Sequence, residues 1–211
     1  MPEALLETVA DAVTAKLKGI QVGNPRNSGV HIGALVSREQ LNTVRDGLAR
    51  LKTEAQVLHD GDDHALVDAD PQVAACHGPT LLCVRDLDAT HHVHATEVFG
   101  PVATLMPYRS SEQAFAMIRR GQGSLVASIY GADAQVLTQA ALQLADSHGR
   151  VHVVSPDVGA VHTGHGNVMP MSLHGGPGRA GGGQELGGRR ALGFYHQRSA
   201  IQASEAVLAQ L

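Results

Sequence analysis

Leu125-Val126-Ala127-Ser128-Ile129-Tyr130 leads, through Gly131-Ala132-Asp133, into a stretch with helical spacing that reaches about Ser147, and then into Val151-His152-Val153-Val154-Ser155. Val126, Ile129 and Tyr130 are of the β-branched and aromatic types that fit a pleated, half-buried surface. Asp133 carries the short carboxylate that accepts from unpaired amides at a helix start, and Gly149 is read as that helix's stop. The second run is short and apolar, as strands buried in a parallel sheet are. Strand, helix and strand in this order predict an α/β layer arrangement.

The same rhythm extends upstream. Extended runs are expected at residues 56–59, 80–85 and 102–108, with a helix at 112–120. Ser37 and Gln40 have capping-box spacing and open a helix that runs to about Leu51. The first helix starts at Pro2, carries Leu5, Leu6, Val9, Ala10, Val13 and Leu17 at helical spacing, and stops at Gly19. Its acids, Glu3 and Glu7, come early and its bases, Lys16 and Lys18, late, which suits the helix dipole. The expected architecture is an open, mostly parallel sheet with helices on both faces. Downstream, residues 159–188 are crowded with glycine and lack apolar periodicity. From Phe194 to Ala203 the pattern alternates like a strand, and a terminal strand can add to the edge of another sheet or subunit. The expected division is a body at 1–192 and an arm at 193–211.

A chain of 211 residues that is 43% hydrophobic can bury one substantial core. Sixteen basic against 20 acidic residues, a net charge of −4, offer no electrostatic footprint for nucleic acid or an anionic membrane. The lack of Trp and the 3% aromatic content leave no stacking platform for single strands. Cys76 and Cys83, the two cysteines, fit neither a zinc knuckle nor a dense disulfide framework. The acidic N-terminus is unlike a signal peptide, and no apolar run approaches the roughly 20 residues of a transmembrane helix. A soluble, cytoplasmic protein is expected.

Several motifs invite chemistry. Gly176-Pro177-Gly178-Arg179-Ala180-Gly181 matches G-x-G-x-x-G, but no strand leads into it and Gly181-Gly182-Gly183 is a poor helix interior. Thirteen histidines include His91-His92-Val93-His94, where His92 and His94 would share one side of an extended segment, and His162-Thr163-Gly164-His165. No carboxylate or thiolate completes a ligand set, so no metal is expected. Cys83 lies in an apolar run where a thiol is ordinarily inert core, while Cys76 has His77 beside it. Glu97-Val98-Phe99-Gly100-Pro101-Val102 is the most informative short run: a carboxylate, a ring and a Gly-Pro turn entering a strand. Glu97 can accept hydrogen bonds from sugar hydroxyls and Phe99 can pack on a planar ligand; a plain turn with a core Phe has the same pattern.

That run resembles the cofactor-contact motif of the aldehyde dehydrogenase superfamily, and the agreement is collinear over nearly the whole chain. The opening helix followed by Val22-Gly23-Asn24-Pro25 resembles the helix after that family's catalytic cysteine, and Gly78-Pro79-Thr80 its substrate-side turn. Thr163-Gly164-His165-Gly166 and the run from His174 to Gly188 are similar to the aldehyde dehydrogenase part of the bifunctional ring-opening protein of phenylacetate degradation. They are also similar to the semialdehyde dehydrogenase of aerobic benzoyl-CoA degradation. The resemblance implies oxidation of a CoA-linked semialdehyde with NAD or NADP. It places Glu97 on the nicotinamide-side ribose, Phe99 by the nicotinamide, and His165 and His174 on the substrate side. The terminal strand from Tyr195 to Ala203 would be an oligomerisation arm giving a homo-oligomer. The family's nucleophilic Cys precedes the first helix, with the general base and dinucleotide domain further upstream. No catalytic residue is therefore expected in these 211 residues, and the chain alone should be inactive. The alternatives are a non-catalytic oligomerisation or binding module made from such an enzyme, and a metal-dependent protein using the histidines.

Overall fold

The structure is a computed structural model that describes residues 1–164, 166, 173–182, 189–196 and 199–210. It forms two compact units, Met1–Gly121 and Gln122–Leu211.

In the first unit a 3-10 turn at Glu3–Leu5 runs into α1, Leu6–Lys18, which turns Leu6 and Ala10 inward. Strand β1, Val22–Gly23, follows, then α2, Arg38–Leu51. Ser37 caps α2 as its spacing predicts, its hydroxyl accepting from the Gln40 amide at 3.0 Å. Strands β2, Gln56–His59, and β3, Leu66–Val67, precede β4, Thr80–Cys83. A single helical turn α3, His92–Ala95, then β5, Val102–Leu105, and α4, Ser111–Arg120, complete the unit. Fully buried β4 is the middle of a three-stranded sheet, antiparallel to β2 and parallel to β5. Val44, Leu48 and Leu51 of α2 pack with Leu82 of β4 into the core. Burial of each such Leu or Val contributes on the order of 2 kcal/mol, so the α2–β4 contact is what fixes the helix on the sheet. The two-residue strands β1 and β3 pair in parallel, a contact too short for periodicity to announce. Gly23 is required there, since a Cβ would lie 2.0 Å from the Val67 carbonyl oxygen.

The second unit contains the predicted strand-helix-strand. Strand β6, Ser124–Tyr130, is joined by α5, Ala134–Leu144, to β7, His148–Val154, and β6 and β7 pair in parallel from Ser124↔His148 to Tyr130↔Val154. Asp133 caps α5, its Oδ1 accepting from the amides of Gln135 at 2.8 Å and Val136 at 3.0 Å. The α/β class therefore holds, with the strands of the described residues divided among three small sheets.

Three local expectations need correction. Helix α5 stops at Leu144, and Gly149 lies inside β7, where glycine serves close backbone packing instead of a helix stop, since a Cβ there would fall 1.7 Å from the Gly175 carbonyl oxygen. His92 and His94 sit on the turn α3 instead of an extended run; amides of Ala95 and Thr96 close it onto the carbonyls of His91 and His92 at 3.1 and 2.8 Å. The strand expected from Phe194 to Ala203 is absent from the described residues. Instead, α6 spans Arg189–Tyr195, residues 199–203 form no ladder, and α7 spans Glu205–Leu208. A terminal strand needs a neighbour for its N–H and C=O groups, and among the described residues none is offered. Among the described residues, no helix is long and apolar enough to cross a membrane.

Candidate functional site

The run at residues 97–101 lies along one face of α2. Gln40, Val44 and Gly47 are spaced four and three apart and so share that face. The Gln40 side chain donates from Nε2 to the Phe99 carbonyl oxygen at 2.9 Å. Gly100 rests on Val44, where a Cβ would stand 2.7 Å from Cγ2, and Val98 enters the gap left by Gly47, with the corresponding distance 2.8 Å. The amide of Val102 donates to the Gly100 carbonyl at 2.8 Å, and the Pro101 carbonyl accepts from the Thr80 amide at 2.8 Å, which carries the chain into β5.

Val98 is thus the residue that packs inward, and its neighbours point out. Glu97 is exposed, and Phe99 is 71% exposed. That exposure excludes the core-Phe reading. It leaves a carboxylate and a ring held out together from a backbone pinned at a carbonyl and two close contacts. Gln40 and Gly47 support this run, although in the sequence Gln40 has only its capping-box spacing from Ser37; the shared spacing with Val44 was the available signal.

Both thiols are buried. Cys83 faces inward from β4 at 1% exposure, and burial pushes its thiol up, as it does that of Cys76. The ring nitrogens of His77 lie near other groups, Nε2 3.3 Å from the Thr80 hydroxyl and Nδ1 3.5 Å from Asp62 Oδ1. Burial lowers the His77 pKa, with Asp62 opposing.

In the second unit, half-buried His174 precedes a glycine loop that lies across the first residues of β6 and β7. A Cβ on Gly176 would stand 2.3 Å from the Ser124 carbonyl oxygen, and one on Gly178 2.1 Å from that of Gln122. The Arg179 amide donates to the Gln122 carbonyl at 3.0 Å. Glycines 176 and 178 serve backbone packing at the amino ends of the parallel strands, whereas ligands of open α/β sheets gather at the carboxyl ends. His165 lies outside the described residues. His152 and His162 approach with ring centres 5.3 Å apart, and among the described residues no three His, Cys, Asp or Glu side chains are placed to hold a metal.

A carboxylate and a ring held outward side by side, next to a parallel strand pair, give this α/β chain a surface with both an acceptor and an apolar face. The chain belongs to the aldehyde dehydrogenase family, whose sequence profile matches residues 1–201. It is 53% identical over 178 residues to 3,4-dehydroadipyl-CoA semialdehyde dehydrogenase of Aromatoleum evansii, covering 83% of this chain and 34% of that protein. It is 42% identical over 182 residues to Protein MaoC of Klebsiella aerogenes, covering 85% of this chain and 52% of that one. The chain therefore spans about a third and about half of these relatives. In fold it is similar to HpcC from Thermus thermophilus, with TM-score 0.72 and 20% identity over 97% of this chain and 39% of that one. The NAD+ complex of an aldehyde dehydrogenase from Bacillus cereus matches with TM-score 0.70 and 22% identity over 90% and 35% of the two chains.

Proposed function

We propose that this chain forms the nicotinamide-facing and substrate-facing part of an aldehyde dehydrogenase that works with NAD or NADP on a CoA-linked semialdehyde of the kind met in aromatic-acid breakdown. The carrying observation is the outward pair Glu97 and Phe99 on a backbone clamped to α2. The substrate class is supported by the 53% identity to an enzyme whose name specifies a CoA-linked semialdehyde.

The residues present fit such a cofactor. An exposed carboxylate accepts from both hydroxyls of a ribose, and an exposed ring offers an apolar face to a flat heterocycle. Glu97 and Phe99 would hold the nicotinamide end of the cofactor, which when bound would supply the hydride acceptor. Glu97 orients the ribose, Phe99 excludes water from one face of the ring, and Gln40 holds the Phe99 peptide in place. His174, with His165, is proposed to face the substrate. Oxidation of an aldehyde through a thiohemiacetal needs a reactive thiolate. Neither Cys76 nor Cys83 supplies it, because both are buried with raised pKa and inert thiols are of that kind. Residues 1–211 alone are therefore proposed to bind without turnover. A homo-oligomer is proposed to form through the C-terminal residues, where Tyr195 and Ile201 are exposed.

The test is a titration of the 211-residue chain, followed by amide NMR, with nicotinamide mononucleotide and with AMP. Shifts of Glu97 to Gly100 with the former alone, lost in Glu97→Gln, are expected. Equal response to both nucleotides, or none at these amides, overturns the nicotinamide reading. A parallel assay with NAD(P)+ and semialdehyde should give no turnover in the wild type, C76A or C83A. Turnover lost in either variant overturns the inert-thiol argument.

A further inference from the structure

The loop that presents Glu97 and Phe99 is held at its far end as well. Glu54 stands just past α2, in the turn closed by its own amide donating to the Leu51 carbonyl at 3.0 Å. Its carboxylate reaches the start of α3 and accepts three backbone amides: those of His91 and His92 at 2.9 Å on Oε1, and that of Val93 at 3.2 Å on Oε2. A four-residue turn cannot pair these donors itself, and an exposed turn of that length does not persist in water. Val93 in turn packs against the Val44, Leu48, Leu51 and Leu82 cluster.

Residues 40, 44, 47, 51 and 54 step by four and three, so they follow one line along α2 and its C-terminal turn. On that line Gln40 takes the Phe99 carbonyl, Val44 and Gly47 take Gly100 and Val98, and Glu54 takes the amides of residues 91–93. The loop is thus tied to one rigid helix at both ends, with Glu97 two residues beyond α3. We infer that Glu54 is a positioning residue that sets where Glu97 and Phe99 stand by anchoring the α3 turn from which they continue. This deepens the nicotinamide reading above and rests on it for its functional meaning. Burial opposes the charge on Glu54, but the three amides and His92 outweigh it and hold the carboxyl below its ordinary range, so the charged, accepting form is the one the fold favours. Arg120 secures the approach to the same turn by donating to the carbonyls of Leu87 and Thr90, so α3 has a second support that keeps the unit folded when Glu54 is altered.

The experiment compares Glu54→Ala, Glu54→Gln and Ser110→Ala in the full chain; Ser110 caps α4 and touches none of the loop. Backbone amide exchange of residues 97–100 and the nicotinamide mononucleotide dissociation constant are measured for each, beside thermal melts. In Glu54→Ala, exchange at these amides should quicken, and the dissociation constant rise, each about tenfold, the effect of some 1.4 kcal/mol. Glu54→Gln, which keeps one accepting oxygen, should recover most of both, and Ser110→Ala should lower the melting temperature with neither change. Unaltered exchange in Glu54→Ala, or equal acceleration in Ser110→Ala, overturns the inference. If the wild-type dissociation constant proves indifferent to Glu97→Gln, the nicotinamide reading fails, and the exchange comparison still decides the role of Glu54.

Discussion

Gly47 on α2 and Val98 in the loop before β5 occupy one contact: a Cβ on Gly47 would stand 2.8 Å from Val98 Cγ2. Gly in a helix interior is ordinarily a cost of about 1 kcal/mol relative to Ala, so Gly47→Ala taken alone should stabilise α2. Overpacking a filled site costs about 1–3 kcal/mol, which is the larger effect here, because Val98 is also held between Glu97 and the Gln40-bound Phe99 peptide. Gly47→Ala is expected to lower stability in urea by about 1 kcal/mol net and to displace Val98 from the core. A more stable variant would show that the loop slides freely on α2.

Phe99 contributes little to folding, being 71% exposed, so Phe99→Ala should change stability by no more than about 0.5 kcal/mol. If its ring faces the nicotinamide, the same change should weaken nicotinamide mononucleotide binding by roughly fivefold, since aromatic contacts are worth about 1 kcal/mol. Calorimetric melts and the NMR titration read the two quantities separately. A large stability loss with unchanged binding would return Phe99 to a structural role.

The first unit should lose stability in two stages as pH falls. Burial lowers the pKa of His59, His77 and His94 from the ordinary 6.5, with His64 adding to the effect at His59 and Arg120 at His94. Each therefore binds fewer protons folded than unfolded just below 6.5, so the stability they protect is complete above that value and is lost as pH drops through the lowered folded pKa values. Glu54 and Asp60 have carboxyl groups held below their ordinary 4.5 and 3.8; the stability from these is present above those values and is lost only at lower pH. Lys52, bonded to Asp60 at 2.7 Å, is the main cause for the latter. Denaturant midpoints measured from pH 7 to pH 3 should fall first near pH 6 and again below pH 4. A midpoint flat down to pH 4.5 would mean that these imidazoles are not buried in solution.

Much of this architecture was legible because it is local. The Ser37 and Asp133 caps, the helical stripes, and the β-branched runs each announce themselves within a few residues, and each appears where its spacing puts it. Failures occur where a distant backbone decides. Gly149 reads as a helix stop until the Gly175 backbone is seen lying against it; residues 91–94, likewise, read as extended until the carboxylate of distant Glu54 is seen to cap a turn there. Glu97 and Phe99 stand out in their run by residue type and by resemblance, while their outward orientation follows from the Gly47 gap that draws Val98 inward. Nothing in the run itself specifies that gap.

The glycine loop after His174 offers a direct contrast between packing and phosphate binding. Gly149 has no room for a methyl group, the Gly175 carbonyl oxygen lying 1.7 Å from the position of a Cβ, so Gly149→Ala forces two backbones apart. A cost at or above the upper end of the overpacking range, about 3 kcal/mol, is expected, with faster amide exchange along β6 and β7. Gly181 has φ +77 with nothing within 4 Å, so Gly181→Ala should cost only about 1–2 kcal/mol for the left-handed backbone. A phosphate cradle would reverse the order of consequences: Gly181→Ala would impair binding of inorganic phosphate or a nucleotide, and Gly149→Ala would leave the ligand unaffected. Exchange at the β6–β7 amides with and without phosphate separates the two, because a loop that packs on strands protects those amides whether or not an anion is present.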